Sequence, residues 1–504
     1  MPRCSPVLSE VEGLLVASCS LLFIIWAMSL LSPNVRKHMP IVVLYALLAL
    51  LTIKFFLPFF RFPISLGYDP GIYRFLFLKY AGSFPLLPDL PHWAGEHPPG
   101  LFLLAAPLLR FGVPVDWFLG WIWNFMPIIL ALALALEFRA REGAVVGTLV
   151  LLSAVLSLAY YDGFVGMYWK TYVALLFMVF AFGALERSSK LAPLYVFLAL
   201  IVHHQTGLLL GLTLVTWSLL RLRHRWNDPR LWATGVLLAG VALLSLAFYA
   251  PHWTSAVRDP FTSIYRLRGD FAPGGSFPDP SFYVRTEAIL LALGAWGFLL
   301  SLRKEKGSLW QIAVLWTLPF ILFRLVFYRR FFLQCDFFLL PYCAIGIADL
   351  WQRFSLVAFR IALVALIAVQ GMISLRIAWD RIPVISMDTY WAIQSSSREV
   401  LQGSSPIIAL DNAAAPWLLG WLTDREVGGP GIFDVPGWTK EQWENFLYGS
   451  QDVRAALLGT LPQGTLFVLT PLFTDYYGVY VEGFLGDPCL VQRGEWVMES
   501  VCGS

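Results

Sequence analysis

The sequence predicts an all-α polytopic membrane bundle of about twelve spanning helices plus a juxtamembrane helix, followed by a small C-terminal extracytoplasmic α/β domain. Three observations predict it. Of 504 residues, 58% are hydrophobic and 14% charged, with a mean hydropathy of +0.67; a soluble domain carries about 25% charged residues. Charge is also partitioned, because Ile377 to Ser504 holds 15 acidic and 6 basic residues while the first 376 residues hold 30 basic and 18 acidic. Finally, long apolar runs recur as far as residue 375 and then give way to short strand-like and helix-like segments. Disorder is excluded by the 16% aromatic content. A net charge of +3 excludes a strongly basic nucleic-acid binder, and no nucleic-acid partner is expected.

A spanning helix needs about 20 mostly apolar residues. Such runs occupy 11–31, 40–60, 117–136, 143–160, 170–187, 191–203, 205–221, 231–250, 285–302, 308–326, 331–350 and 355–375. The pair within 191–221 is one apolar stretch broken only by His-His-Gln-Thr-Gly, and the span centres read as nearly charge-free. Alternate loops carry Arg36/Lys37, Arg139/Arg141, Arg187/Lys190, Arg221/Arg223/Arg225/Arg230, Arg303/Lys304/Lys306 and Arg353. The positive-inside rule puts all of these on the cytoplasmic face if the N-terminus starts outside. Segments 61–116, 161–169, 251–284, 327–330 and the acidic tail are then external. The first apolar run is too long for a signal-peptide core and its basic residues follow it, so an uncleaved helix in the plasma membrane is expected. The domains expected are 1–376, a membrane domain with first external loop 61–116, and 377–504, an extracytoplasmic α/β domain.

In the tail, PIIAL (406–410) and TLFVLT (465–470) read as buried strands, and TKEQWENFLYG and QDVRAALLG as short helices, the first capped by Thr439. CLVQRGEWVMESV reads as a hairpin turning near Gly494. Cys489 and Cys502 flank it and either form a disulfide or remain two thiols. No CxxC, HExxH, P-loop or GxGxxG occurs, which weighs against zinc, ATP and dinucleotide chemistry.

The external loops concentrate the polar candidates. Asp69 in GYDPGIYR is either a general base or cation ligand, or the cap of a helix starting at Pro70. GEHPPG aims Glu96 and His97 either at whatever the loop covers or at lipid headgroups, and leads into an apolar stretch too short to span, suited to lying at the interface. His203 and His204 with Gln205 mark a polar turn between apolar helices, costly to bury without a role; the expected partner is an anionic headgroup or phosphate. Asp162 and Lys170 fall at the same external level, and Arg329/Arg330 suit bidentate phosphate binding or headgroup anchoring. Loop 251–284, too long for a simple connector, brings Arg266 and Arg268. With Tyr73 and Asp162, these two arginines complete the substrate-loop candidates.

In order and spacing, these motifs resemble the GT-C superfamily of integral-membrane glycosyltransferases, closest in layout to protein O-mannosyltransferases and lipid A aminoarabinose transferases. GYDPGIYR resembles the acidic motif of their first external loop, EHPPGLFLLAAPLLRFG their Pro-Pro juxtamembrane helix, and VHHQTGLLLG their later polar turn. The resemblance implies a polyprenyl-phosphate-sugar donor, a glycan, lipid or protein acceptor, and inverting transfer outside the membrane. It places Asp69, with Glu96, in the catalytic role. His97, Lys170, His203, His204, Arg329 and Arg330 would stand near the donor phosphate. Asp69 and Asp162 would be the acids available to Mg2+ or Mn2+, although no ligand spacing requires a metal. The sequence departs from the family pattern in three ways: the first-loop acid is single and followed by Pro70, Lys170 stands where a second acid is expected, and an extra N-terminal helix precedes the usual first one. Two other readings stay open: a non-catalytic assembly or binding protein on this scaffold, and a transporter or flippase for a lipid-linked sugar.

Overall fold

The computed structural model describes residues 33–224, 229–254, 258, 277–325, 327–399, 403–430 and 433–502. The run at 11–31 and the arginines Arg266 and Arg268 lie outside the described residues, as does the side chain of Glu96. The chain divides into two compact units, one of residues 33–63 and 122–381, the other of 64–121 and 382–502.

In chain order the helices are α1 (Pro33–Arg61), α2 (Pro70–Ser83), α3 (Gly100–Arg110), α4 (Val115–Leu119), α5 (Trp121–Glu142), α6 (Ala144–Leu156), α7 (Leu158–Val165), α8 (Trp169–Glu186), α9 (Ala192–Val202), α10 (His204–His224) and α11 (Pro229–Tyr249). They continue with α12 (Pro280–Thr286), α13 (Ala288–Lys304), α14 (Leu309–Leu322), α15 (Tyr328–Arg353), α16 (Val357–Asp380), α17 (Met387–Glu399), α18 (Ala415–Trp421), α19 (Lys440–Tyr448), α20 (Gln451–Leu458) and α21 (Pro471–Leu485). The strands are β1 (Ile407–Ala409), β2 (Val427–Gly428), β3 (Leu466–Val468), β4 (Leu490–Gly494) and β5 (Val497–Ser500).

The first unit is a multi-pass membrane bundle. Among the described residues seven helices are long and apolar enough to cross a membrane, or up to nine when the bent pairs α6/α7 (58°) and α12/α13 (92°) each count as one span. The expected spans 191–203 and 308–326 are helical as α9 and α14, but these have only 11 and 14 residues. Helix α15 is the hub, with 83% of its apolar window buried against 11% for α11. Small residues let α13 approach it: a Cβ on Gly297 would lie 1.9 Å from the Tyr342 carbonyl.

Buried charge holds the first bend. A break at Ser157 leaves carbonyls of α6 and amides of α7 without intrahelical partners. Lys54 Nζ donates to the carbonyls of Val155 (2.7 Å) and Ser157 (2.8 Å) and to Ser374 Oγ (2.8 Å). Glu287, at the second bend, accepts the amides of Leu158 and Ala159 on one carboxylate oxygen. Ser157 Oγ donates to Asp336 at 2.6 Å and accepts the Tyr160 amide. The cation thus faces the negative end of α6 and the anion the positive end of α7. The spans are therefore not charge-free, a correction to the sequence reading. Lys54, Glu287 and Asp336 lie far apart in sequence within apolar runs, and their shared function appears only when distant segments meet.

The second unit joins part of the first loop to the tail. Its core gathers Ile408, Phe446, Leu458, Phe467, Phe473 and Phe484 around a five-stranded sheet of order β2-β1-β3-β5-β4. β1 is parallel to β2 and β3, and β5 is antiparallel to β3 and β4. The expected strands, both tail helices, the Thr439 cap and the terminal hairpin are present, and Gln442 completes the cap as a capping box. A Cys489–Cys502 disulfide closes the hairpin, with Cα atoms 5.0 Å apart. Helix α2 packs on α18 so closely that a Cβ on Gly71 would meet the Pro416 carbonyl at 1.7 Å. The short apolar stretch of the first loop forms α3, 11 residues long.

Candidate functional site

In the membrane unit the polar turn is built by the break between α9 and α10. His203, extended and 4% exposed, ends α9. Its Nδ1 lies 2.8 Å from Thr206 Oγ1 and 3.4 Å from Thr171 Oγ1, and Gln334 Nε2 on α15 donates to Thr206 Oγ1 at 3.1 Å. Lys170, one residue into α8, and Arg330, near the start of α15, are close enough for their charges to act on both His203 and His204. Four of the predicted phosphate-binding residues therefore share one electrostatic neighbourhood. The Arg330 guanidinium lies 5.3 Å from the Tyr168 ring and 5.0 Å from that of Phe327.

Arg329 faces other partners: its Nε lies 3.9 Å from Asp279 and donates to the Tyr328 hydroxyl at 3.3 Å. Asp279 caps α12 by accepting the Ser281 amide at 2.9 Å, and that contact holds its carboxyl below the usual carboxylate range.

Asp162 is 4% exposed on α7. One carboxylate oxygen pairs with Arg381 at 2.5 Å, and the other accepts the Tyr283 hydroxyl at 2.9 Å. Rings connect this pair towards Arg330, with Tyr168 5.8 Å from Phe277 and Phe277 5.4 Å from Tyr283. Sequence reading missed Arg381, which lies 219 positions from Asp162 and at the end of the last span.

In the second unit Asp69 occupies the N-cap position of α2, one of the two roles the sequence leaves open, but its side chain makes no capping hydrogen bond. Tyr68 beside it is pushed up by burial and then by the charges of Asp69 and Asp411. Asp411, just beyond β1 and 8% exposed, accepts the Ala413 amide at 2.8 Å and the Thr470 hydroxyl at 3.2 Å; burial raises its carboxyl. Nothing in the spacing singled it out, since its neighbours come from the first loop and the end of β3. His97 is half-buried with its ring edge-on to Trp93 at 6.1 Å. Tyr73 is 2% exposed and packs against Phe77 and Phe102.

These residues do not make a ready donor set for Mg2+ or Mn2+. Both Asp162 oxygens are engaged by Arg381 and Tyr283, and among the described residues no three His, Cys, Asp or Glu side chains gather to hold a metal.

No family model and no curated protein matches the chain by sequence. Solved structures match it in three dimensions. Oligosaccharyltransferase AglB from the archaeon Archaeoglobus fulgidus, in complex with an inhibitory peptide and a dolichol-phosphate, aligns with a TM-score of 0.62 at 12% identity, over 89% of this chain and 72% of that one. The Archaeoglobus fulgidus oligosaccharyltransferase tethered to an acceptor peptide containing the NVT sequon gives 0.59 at 13% identity, over 90% and 72%. ArnT from Cupriavidus metallidurans bound to undecaprenyl phosphate gives 0.55 at 12% identity, over 91% and 97%. Both proteins are GT-C membrane glycosyltransferases, and the chain has their fold.

Proposed function

We propose that the chain is a glycosyltransferase that moves a sugar from a polyprenyl-phosphate carrier to an acceptor on the extracytoplasmic face of the cell membrane, with inversion at the anomeric carbon. The observation that carries this reading is the gathering of Lys170, His203, His204 and Arg330 in a bundle with the fold of proteins that bind dolichol-phosphate and undecaprenyl phosphate. An acceptor oxygen attacks the anomeric carbon from the face opposite the phosphate. The bond from that carbon to the phosphate oxygen breaks, and its electron pair leaves with the polyprenyl phosphate. Lys170 and Arg330 stabilise the charge that develops there, with the histidines and Thr206 as hydrogen-bonding partners. The acceptor proton passes to a carboxylate, the role proposed for Asp69. The reaction is drawn without a metal.

A second reading has two observations in its favour. Buried ionisable residues within spans and two bent helix pairs are features of transporters. Against it, Lys54 and Glu287 are engaged by the backbone at the break.

Purified protein in nanodiscs, given a radiolabelled polyprenyl-phosphate sugar, tests the assignment of roles. Asp69→Asn should abolish transfer while retaining donor binding, and Arg330→Ala should slow transfer by about 100-fold or more. Wild-type transfer by Asp69→Asn would remove that carboxylate from the mechanism.

A further inference from the structure

The connections of the α/β sheet diverge at its centre. After β1 the chain passes through α18 to β2 on one side, and after β3 it leaves through α21 for β4 and β5 on the other. In open parallel sheets ligands bind outside the carboxyl ends of strands at such a divergence. The first polar residues beyond those ends are Asp411 and Thr470, already hydrogen-bonded to each other. Tyr477, two turns into α21, lies within reach of the Asp411 charge; burial first, and then the Tyr448 hydroxyl beside it, pushes its phenol up to about 12.

From Tyr477 a tyrosine surface continues outward. Its ring lies 4.8 Å from that of Tyr476 and 5.9 Å from that of Tyr448, which is 4.8 Å from Tyr480. Tyr476 is 78% exposed, Tyr448 47% and Tyr480 46%. Packing does not require neighbouring rings to stand in water, and clustered exposed aromatics mark interaction surfaces. Phenol faces stack on the C–H faces of pyranose rings, while their hydroxyls and a nearby carboxylate hydrogen-bond to sugar hydroxyls. Charge narrows the class: with 15 acidic against 6 basic residues, the segment from Ile377 onward repels an anionic glycan.

We propose that Tyr448, Tyr476, Tyr477 and Tyr480, leading to Asp411, bind the acceptor, and that the acceptor is a neutral or cationic glycan. The proposal rests on the glycosyltransferase reading, because that reading makes a bound glycan an acceptor. The test is saturation-transfer NMR on the full-length protein in phosphatidylcholine nanodiscs, with mannotriose, maltotriose and chitotriose as probes and a Ser/Thr-rich hexapeptide as the rival. Sugar-ring protons should receive saturation, and the double change Tyr476→Ala/Tyr480→Ala should weaken binding about tenfold. Both rings are exposed, so the thermal midpoint should stay at the wild-type value. The proposal is overturned if none of the sugars binds, if sugar binding is equal in the double variant, or if only the peptide shows tyrosine-dependent transfer. Binding is read without the donor. A wild-type protein that holds a trisaccharide yet transfers no sugar therefore refutes the glycosyltransferase reading and leaves the glycan surface standing.

Discussion

In the membrane unit Lys54 and Glu287 hold the two sides of a helix break, whereas in the α/β unit Arg454 ties separate segments around a carboxylate. Arg454 donates to Asp487 at 2.8 Å, to the Gly483 carbonyl at 3.0 Å and to the Phe446 carbonyl at 3.2 Å, with its guanidinium 4.6 Å from the Phe484 ring. Both arrangements pair a buried charge with backbone groups. They differ in what replaces a lost partner. Within a span no water reaches an orphaned carbonyl, so the backbone must be satisfied internally. The membrane unit therefore uses ions to permit a bend, and the α/β unit uses one to fasten helices α19, α20 and α21 together.

The largest effect is expected at Lys54. Lys54→Met removes the ammonium's bonds to the Val155 and Ser157 carbonyls, leaving Val155 only the 3.3 Å bond from Ser374, and takes away the cation near Glu287 and Asp336. It should cost about 4 kcal/mol, read as a lower thermal midpoint of the detergent-solubilised protein. Glu287→Gln keeps a carbonyl oxygen for the Leu158 and Ala159 amides and should cost much less. A wild-type midpoint for Lys54→Met would break the contrast.

A smaller loss is expected in the α/β unit. Arg454→Met should destabilise it by about 3 kcal/mol, seen as faster hydrogen exchange over 440–490 with exchange in the spans unchanged. Equal acceleration in the spans would erase the distinction between the units.

The smallest effect is a pH dependence at Asp411, a buried carboxylate with hydroxyl and amide partners. Burial raises its carboxyl, so the folded protein binds that proton more tightly than the unfolded chain does. Folding therefore loses stability as pH rises through the carboxylate range and Asp411 ionises. Asp411→Asn should raise the thermal midpoint at pH 7, and the gain should vanish by about pH 4. A gain independent of pH would assign it to packing.

What was legible in the sequence was local. Apolar run length located the helices, Thr439 marked the start of α19, and the strand pattern turning near Gly494 marked a hairpin, which the flanking cysteines close. Asp69, Lys170, His203, His204 and Arg330 stood out as polar residues beside apolar runs. Hidden were pairings across long separations, such as Lys54 with Ser374, Asp162 with Arg381, and Asp411 with Thr470. Lys54 was invisible for a further reason: one lysine in a helix of mean hydropathy 2.2 hardly changes a window average. The bend at Ser157 was equally hidden, because no glycine or proline marks it and the polar groups that stabilise it come from other helices.

Covalent transfer separates a glycosyltransferase from a carrier, and a radiolabelled sugar followed in proteoliposomes reads it. Purified protein with a polyprenyl-phosphate-linked labelled sugar and a glycan acceptor should move the label from the organic phase into an acceptor product of inverted anomeric configuration, releasing polyprenyl phosphate one for one. Label that crosses the bilayer still joined to its polyprenyl phosphate, with no covalent product, would establish a transporter instead.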